Sequence, residues 1–590
     1  MQPIVVSPSS NPREFSFSEL TEGAIAIDVE TTGEGSVESN WLTSEIFCVS
    51  LATRTQEWVF WLDDDYEATR LVILGLFSVP SLKKVFHNAK NDIHYLTKTF
   101  QLPAELLNWG TIEDTAILGH LLNNLDWKNL EGLAGKYLGA EPWKKETTKL
   151  GRKLGGFQHI PRDQMTTYTA RDARATIELY HYQMEHLYPE AWSCYELEKQ
   201  VAAILFGMEQ RGIKLDRQQL DQMMDVAGTA RDEAAQTLKR ALGNEAMNLR
   251  SGAQIAQAIE ANPEIQITFA LTPTGKPSFA KDKVATYALT VPEMALLGKY
   301  HKLNDVLDYL VEMRDSSAYD NRVHCQYNQV GAKTFRMSCK RVNLTNIPRE
   351  DTITGLGIDG MSTVRRLFIP DQTWFSYDFK QIEMVLYAHY AGDPLLREAL
   401  IAGDVHAQTA RLITGKAEVS SFERFAFGKK VNFAVIYCAG GDRLAHEISM
   451  AQGSIYPPHK GHWLLDRFYE SYPKCKKLQK KVFDRVAERG YIQTLLGRRL
   501  YVDQDKAYKG MNYLIQGGGA ELLKLAQVRI HEEFPDIQLC VVHDEVNVDS
   551  SLTPHEQERI RELMEGCLPL SLPVKADVFS STQSWGHTGH

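Results

Sequence analysis

Between Leu539 and Asp549 the chain reads LCVVHDEVNVD, and this stretch limits the possible folds more than any other. Val541, Val542, Val546 and Val548 give it the β-branched content of a strand. Yet Asp544 and Glu545 stand side by side in its middle, with His543 next to them. A carboxylate carried into a core needs a partner or a metal. The run therefore predicts a strand whose acids belong to a site.

A second carboxylate in a similar position comes from TWFSYDFKQIEMVLYAHYAGD (373–393). It reads as a strand ending near Asp378, followed by a helix with Ile382, Val385, Leu386 and His389 on one face. Asp378 and Asp544 on neighbouring strands, holding two Mg²⁺ ions, would make a phosphoryl-transfer centre. A third segment, ERFAFGKKVNFAVIYCAGG (423–441), places Lys429, Phe433 and Tyr437 at i, i+4 and i+8. Each step drifts by only about 40°, so the three form one stripe on a helix. A cation followed by two aromatic planes suits a nucleoside triphosphate; an amphipathic core helix with a snorkelling lysine is the alternative.

The N-terminal third repeats the theme. GAIAIDVETTG (23–33) is an apolar strand that points Asp28 and Glu30 to the same side. KKVFHNAKNDIHYL (83–96) runs from strand into helix with Asn88 and Asp92 four apart, and MTTYTARDARATIELYHYQ (165–183) puts Tyr168 and Asp172 one turn apart. Asp28, Glu30, Asp92 and Asp172 can together hold two metal ions, one activating a water and one stabilising the leaving oxygen of a phosphodiester. Tyr168 could orient that water.

At 590 residues the chain is too long for one core, and about three to five domains are expected. With 43% hydrophobic and 24% charged residues it has the composition of a soluble globular protein. No apolar run approaches the roughly 18 residues of a membrane span, and the first residues carry no secretion or import pattern. Eight cysteines, none in a CxxC pair, fit reduced thiols in a cytoplasm. The net charge of -10 argues weakly against a purely electrostatic nucleic-acid binder. Basic clusters at 136–153, 428–430, 474–481 and 497–499 each read as solvated helix faces. Between them the middle of the chain reads as a helical arm or spacer, opening with a helix closed by Gly212.

Taken together, the motifs resemble known families. DVE, NAKND and YTARD resemble the three motifs of a DEDD-type 3′–5′ exonuclease of the tyrosine-containing subclass, with all four carboxylates present. YDFKQIE, KKVNFAVIY and VHDE resemble motifs A, B and C of a family A DNA polymerase. TFRMSCKRVNLTNIP (334–348), GYIQTLLGRRLY (490–501) and KGMNYLIQGGGAELLK (509–524) also match, in the family's order. The resemblance covers nearly the whole chain and is to the large fragment of bacterial DNA polymerase I. It implies a multidomain α/β architecture: an RNase H-like exonuclease domain (1–192), then a right-hand polymerase with thumb (193–330), palm with an antiparallel sheet (331–394 and 488–590) and helical fingers (395–487).

Roles follow residue by residue. The resemblance implies that Asp378 and Asp544 bind two Mg²⁺ or Mn²⁺ ions, with Glu545 near but less essential, and that Asp28, Glu30, Asp92 and Asp172 bind two more. Lys429 would clamp the triphosphate of an incoming dNTP, with Arg424, Phe433, Tyr437, Gln381 and His543 also in the nucleotide site. Glu383 packed with Tyr437 would exclude a ribose 2′-OH, and Phe433, lacking a hydroxyl, implies discrimination against dideoxynucleotides. Arg336, Asn343, Asn346, Asn512, Gln516 and Arg498 would touch primer-template DNA. The expected protein is a monomeric, proofreading, phage-like replicative enzyme, since Met1 lies just ahead of the exonuclease. A nuclease whose second half only binds DNA, and a structural DNA-binding protein, remain alternatives.

Departures from the family pattern stand beside these matches. The family places an Arg four residues before the motif B lysine, whereas here Phe425 stands there and Arg424 is one earlier. Either the helix is adjusted locally, or another cation such as Lys430 serves the triphosphate. Ala434 and Cys438 replace motif B glycines, Phe335 replaces a glycine beside Arg336, and Tyr508 stands where relatives carry a template-contacting Arg. Such crowding raises the question of an altered base preference, for example for 2-aminoadenine over adenine.

Overall fold

The structure, a computed structural model, describes residues 7–20, 23–33, 40–347, 356, 358 and 363–589. The chain forms two compact units. No helix among the described residues is long and apolar enough to cross a membrane.

The first unit comprises Met1–Gln210, Tyr327–Ser338 and Arg485–Asp536. Its sheet is built from β1 (Ala24–Thr31), β2 (Ile46–Ala52), β3 (Glu57–Trp61), β4 (Lys83–Phe86) and β5 (Ile112–Asp114), in the order β3-β2-β1-β4-β5. β1, β2 and β3 pair antiparallel, while β4 and β5 run parallel to β1. Parallel strands need crossover helices and are covered on both faces. Ile25, Ile27, Val49, Leu51, Phe60 and Phe86 accordingly are buried in one core. Four helices matter here: α1 (Ala89–Phe100), α2 (Thr115–Leu122), α3 (Lys144–Leu154) and α4 (Arg162–His186). A fifth, α5 (Ala191–Arg211), also belongs to this unit. The expected exonuclease boundary at 192 thus falls inside a helix that belongs to this unit. The reason is polar: buried Glu209 of α5 accepts from Lys90 and from His94 Nε2 (2.6 Å), and Tyr195 Oη donates to Glu113 (2.8 Å).

The second unit comprises Arg211–Gln326, Cys339–Asp484 and Ile537–His590. Its helical part packs α6 (Arg217–Ala241) against α7 (Pro292–Ser316), with Leu238, Met294 and Leu297 buried. Its sheet orders β6 (Trp374–Phe379), β7 (Gln538–Val542), β8 (Glu545–Asp549) and β9 (Ala576–Ser581) as β7-β8-β6-β9, all antiparallel, as expected for the palm. Residues 395–487 are mainly helical.

The chain from Arg485 to Asp536, expected in the palm, clusters with the first unit instead. Glu198 of α5 explains the tie. Fully buried, it takes Arg498 at 2.9 Å and Lys524 at 2.7 Å, with Glu521 as Arg498's second partner at 3.2 Å.

Candidate active sites

In the first unit β1 delivers Asp28 and Glu30, α4 delivers Asp172, and ligand oxygens of all three lie within 4.8 Å of one another. Asp92, on the first turn of α1, is buried beside them and accepts from the Val29 N–H. Burial, reinforced by Asp172, pushes the Asp28 carboxyl up to about 7. Burial, with Asp28 next, also raises Glu30 and Asp92 well above the ordinary carboxylate range. Four acids held together in a largely buried site are adverse without cations, and oxygen donors in this arrangement fit hard divalent ions. Tyr168 lies buried one turn before Asp172 on α4.

Two residues of this centre were not legible as such. Asp114 accepts from the N–H groups of Asn88 (3.0 Å), Ala89 (2.9 Å) and Ala116 (2.8 Å), so one carboxylate caps α2 and pins the start of α1, which carries Asp92. An Asp before an apolar helix was the available signal. Lys144, from a cluster expected to be a solvated face, instead ion-pairs with Asp172. The indole Nε1–H of Trp143 donates to the other oxygen of the same carboxylate.

In the second unit the strand expected through 539–549 is a hairpin. Val542 pairs with Glu545, leaving His543 and Asp544 as its two-residue turn, and His543 takes the left-handed φ of 59° that such turns require. The acids therefore sit at a strand end rather than mid-strand. Asp378 lies directly opposite Glu545 on β8 and Asp577 on β9, and the Phe379 N–H donates to the Asp544 carbonyl at 3.3 Å. The two aspartates are thus neighbours across one ladder, each half-buried at its open end. Glu545 is compensated otherwise: Trp585 Nε1–H donates to it at 3.2 Å, and the Arg365 guanidinium lies 3.9 Å away.

Gln381, with φ 51°, caps the Ile382–Ala391 helix that follows Asp378, and Glu383 stands in its first turn. The Tyr437 hydroxyl donates to Glu383 at 2.7 Å, joining this helix to the one that carries Lys429. Lys429 is exposed, while Phe433 and Tyr437 are half-buried with ring planes 16° apart. The two aromatic members of the stripe read from spacing thus stack on each other.

The backbone around it is not regular. Arg424–Lys429 is π-helical, and the Lys430 N–H donates to Phe425, five residues back. A π turn holds one residue more than an α turn. Arg424, five before Lys429, therefore occupies the place of a residue four before it on an α-helix, and of the two alternatives the local adjustment is the one observed. Arg424 also pairs with Asp404 at 2.8 Å. Lys430 is engaged by Glu447 at 3.3 Å and lies over the Phe425 ring. Gly428 permits the packing, since a Cβ there would stand 2.0 Å from the His406 carbonyl oxygen.

Residues 217–587 match the sequence model of the family described as DNA polymerase family A. The chain belongs to that family. Residues 3–187 match a second description, 3′–5′ exonuclease. Among curated proteins, the chain is 28% identical over 413 residues to the thermostable DNA polymerase I of Thermus aquaticus, covering 66% of this chain and 47% of that protein. It is 25% identical over 499 residues to DNA polymerase I of Borreliella burgdorferi (80% and 53%), and 27% over 555 residues to that of Synechocystis sp. (84% and 52%). The chain spans about half the length of the curated relatives it matches. The POL domain of Pol1 from M. smegmatis, solved in complex with DNA primer-template and dNTP, shares the fold at a TM-score of 0.79 and 21% identity, over 99% of this chain and 100% of that one.

Against the family A pattern, two glycine replacements keep the backbone a glycine would adopt. Phe335 has φ 60° and Cys438 φ 50°, a region costly for residues with a Cβ. Phe335 is held there by its ring, which lies 3.9 Å from the Arg498 guanidinium and 4.2 Å from the His120 ring. Arg498 itself was expected to touch DNA and does not fit that role: it is 0% exposed, between Glu198 and Glu521. Asn512 and Gln516 lie one turn apart on the Lys509–Glu533 helix, and Thr334 donates to Gln516 at 3.4 Å. Arg336 is half-buried in the same unit, and Tyr508 is exposed at that helix's start. In the second unit Asn343 caps a short helical turn of which Asn346 is the last residue.

Proposed function

We propose that the chain is a template-directed DNA polymerase that adds dNTPs to a primer 3′ end, with a 3′–5′ proofreading exonuclease in its first unit. The observation that carries this is the Tyr437–Glu383 hydrogen bond in the second unit. It ties the helix bearing Lys429 and Phe433 to the helix that starts beside Asp378, itself next to Asp544. Cationic, aromatic and acidic groups of one nucleotide site are thereby linked, which neither a plain nuclease nor a structural DNA-binding protein would need.

Asp378 and Asp544 would hold divalent ions in one centre; Asp28, Glu30, Asp92 and Asp172 would do so in the other. Mg²⁺ or Mn²⁺, two per centre, would supply nucleophile activation and charge stabilisation for in-line displacement. Lys429 and Arg424 would bind the triphosphate from one helix face, the π turn bringing them into register. Phe433 and Tyr437 would support base and sugar, with the Glu383–Tyr437 pair closing the space a 2′-OH requires. Glu545, held by Trp585 and Arg365, would position the β7–β8 turn rather than ligate. In the first unit, Tyr168 would orient the attacking water. The changed groups around the nascent pair make a preference for a modified base such as 2-aminoadenine a testable part of the proposal.

Primer extension with dNTPs and Mg²⁺ tests the reading. Extension that Asp544→Ala abolishes, with degradation of single strands retained, is the expected result. Degradation without any extension by the unmodified chain would leave only the nuclease.

A further inference from the structure

The exonuclease centre contains a fifth charged side chain that neither its motifs nor the comparisons assign. Lys144 opens α3, and its ammonium pairs with Asp172 Oδ2, on the acid that joins Asp28 and Glu30 in the ligand cluster. Its position is built rather than incidental. Glu131 accepts the backbone N–H groups of both Trp143 (2.5 Å) and Lys144 (2.6 Å), fixing the first turn of α3 over the site. The Nζ lies 5.6 Å from the centre of the Tyr168 ring, and the side chain keeps 29% of its surface open. Its chain neighbours Trp143 and Lys145, with Tyr168 and Arg171, line a cavity of about 790 Å³.

Formal charge says what a lysine does there. Four carboxylates balance two divalent ions, which leaves the negative charge of the scissile phosphate, growing as water attacks, without a counterpart. A cation in a dry, preorganised site meets that need with little reorganisation. We propose that Lys144 is a catalytic residue of the exonuclease: it holds Asp172 while metal is absent, yields that carboxylate to metal, and then donates a hydrogen bond to a non-bridging oxygen of the scissile phosphate. The water oxygen bonds to phosphorus and water loses a proton. The bond from phosphorus to the 3′ oxygen of the preceding nucleotide breaks, and that oxygen gains a proton. A nucleoside 5′-monophosphate and a shortened strand ending in 3′-OH result, and Lys144 stays protonated throughout.

This rests on the metal reading of the exonuclease centre, and the test separates the two. Full-length chain carrying Asp544→Ala, so that the second centre does not contribute, is titrated with Mn²⁺ and followed by electron paramagnetic resonance. Single-turnover degradation of a single-stranded oligonucleotide is then measured at saturating Mn²⁺. For Lys144→Gln and Lys144→Met, Mn²⁺ binding at this centre is expected to tighten severalfold, because the competing ammonium is gone. Hydrolysis should slow by about ten- to a hundredfold, Lys144→Arg should recover much of the rate, and thermal unfolding should stay near that of the parent. A rate that does not change, or Mn²⁺ binding that weakens together with a lowered melting temperature, overturns the proposal in favour of a bystander or a structural lysine. Absence of any Mn²⁺ site that Asp28→Asn with Glu30→Gln removes would overturn the metal reading as well.

Discussion

The two acidic centres solve the same electrostatic problem differently. In the first unit the carboxylates converge from a strand and two helices into a cluster where Glu30, Asp92 and Asp172 are buried and Asp28 is half-buried, and three of the four are driven toward their protonated forms. In the second, Asp378 and Asp544 stand half-buried at the open end of an antiparallel ladder, while buried Glu545 has Trp585 and Arg365 for partners. A cluster gathered from several elements concentrates negative charge and depends on cations for its stability. A pair at a strand end leaves its charge facing solvent and can be assembled from a hairpin turn and one neighbour. Loss of metal should therefore disturb the first centre's fold more than the second's.

The largest expected effect tests whether the centres are independent. Asp378→Ala or Asp544→Ala should lower primer extension by about three orders of magnitude or more while single-strand degradation persists, and Asp28→Ala with Glu30→Ala should do the reverse. Loss of both activities from either change would show that the comparison joins what should be kept apart. Next in size, Phe433→Tyr should raise dideoxynucleotide incorporation relative to dNTPs by about ten- to a hundredfold. Equal ratios for parent and variant would remove Phe433 from the sugar site.

Stability measurements sharpen the contrast further. Without metal, Asp28→Asn should stabilise the first unit by roughly 1–2 kcal/mol through relief of like charge, whereas Asp378→Asn should change the second unit little. Hydrogen exchange under chelation would read both. The smallest effect concerns pH. Burial, with Lys128 adding to it, drives the His120 ring down to about 3, and its Nε2 faces the Ala332 carbonyl at 3.0 Å. Its folded pKa is depressed, so the stability it supports is complete above the ordinary value of 6.5 and is lost as pH falls. Between pH 7.5 and 5.5 the first unit should lose roughly 1 kcal/mol through this group, a loss that His120→Gln should reduce.

How much of this could be read beforehand depended on the range of the interaction. Asp28 with Glu30, and Tyr168 with Asp172, were visible because strand and helix periods act over a few residues. The expectation that β6 and β8 are neighbours followed from two strand-like runs that each carry an aspartate, which a shared pair of metal ions would bring together. Arg498 was misread because Glu198, 300 residues away, decides its burial, and nothing near GRR announces that. Lys144 was misread for the same reason: five of the eleven residues of α3 are lysine or arginine, and only the fold turns one of them inward. The hairpin at His543-Asp544 escaped notice because the turn carries no glycine and valines recur on both sides of it.

The π turn at Arg424–Lys429 carries a lesson about length. An added residue inside a helix ordinarily rotates everything beyond it, yet here the surplus is confined to a single wide loop of backbone, and both ends keep their facing. Insertions of this kind can pass through evolution without disturbing what the helix presents. Counting positions between two functional side chains will then misjudge a protein that tracing its hydrogen bonds would read correctly.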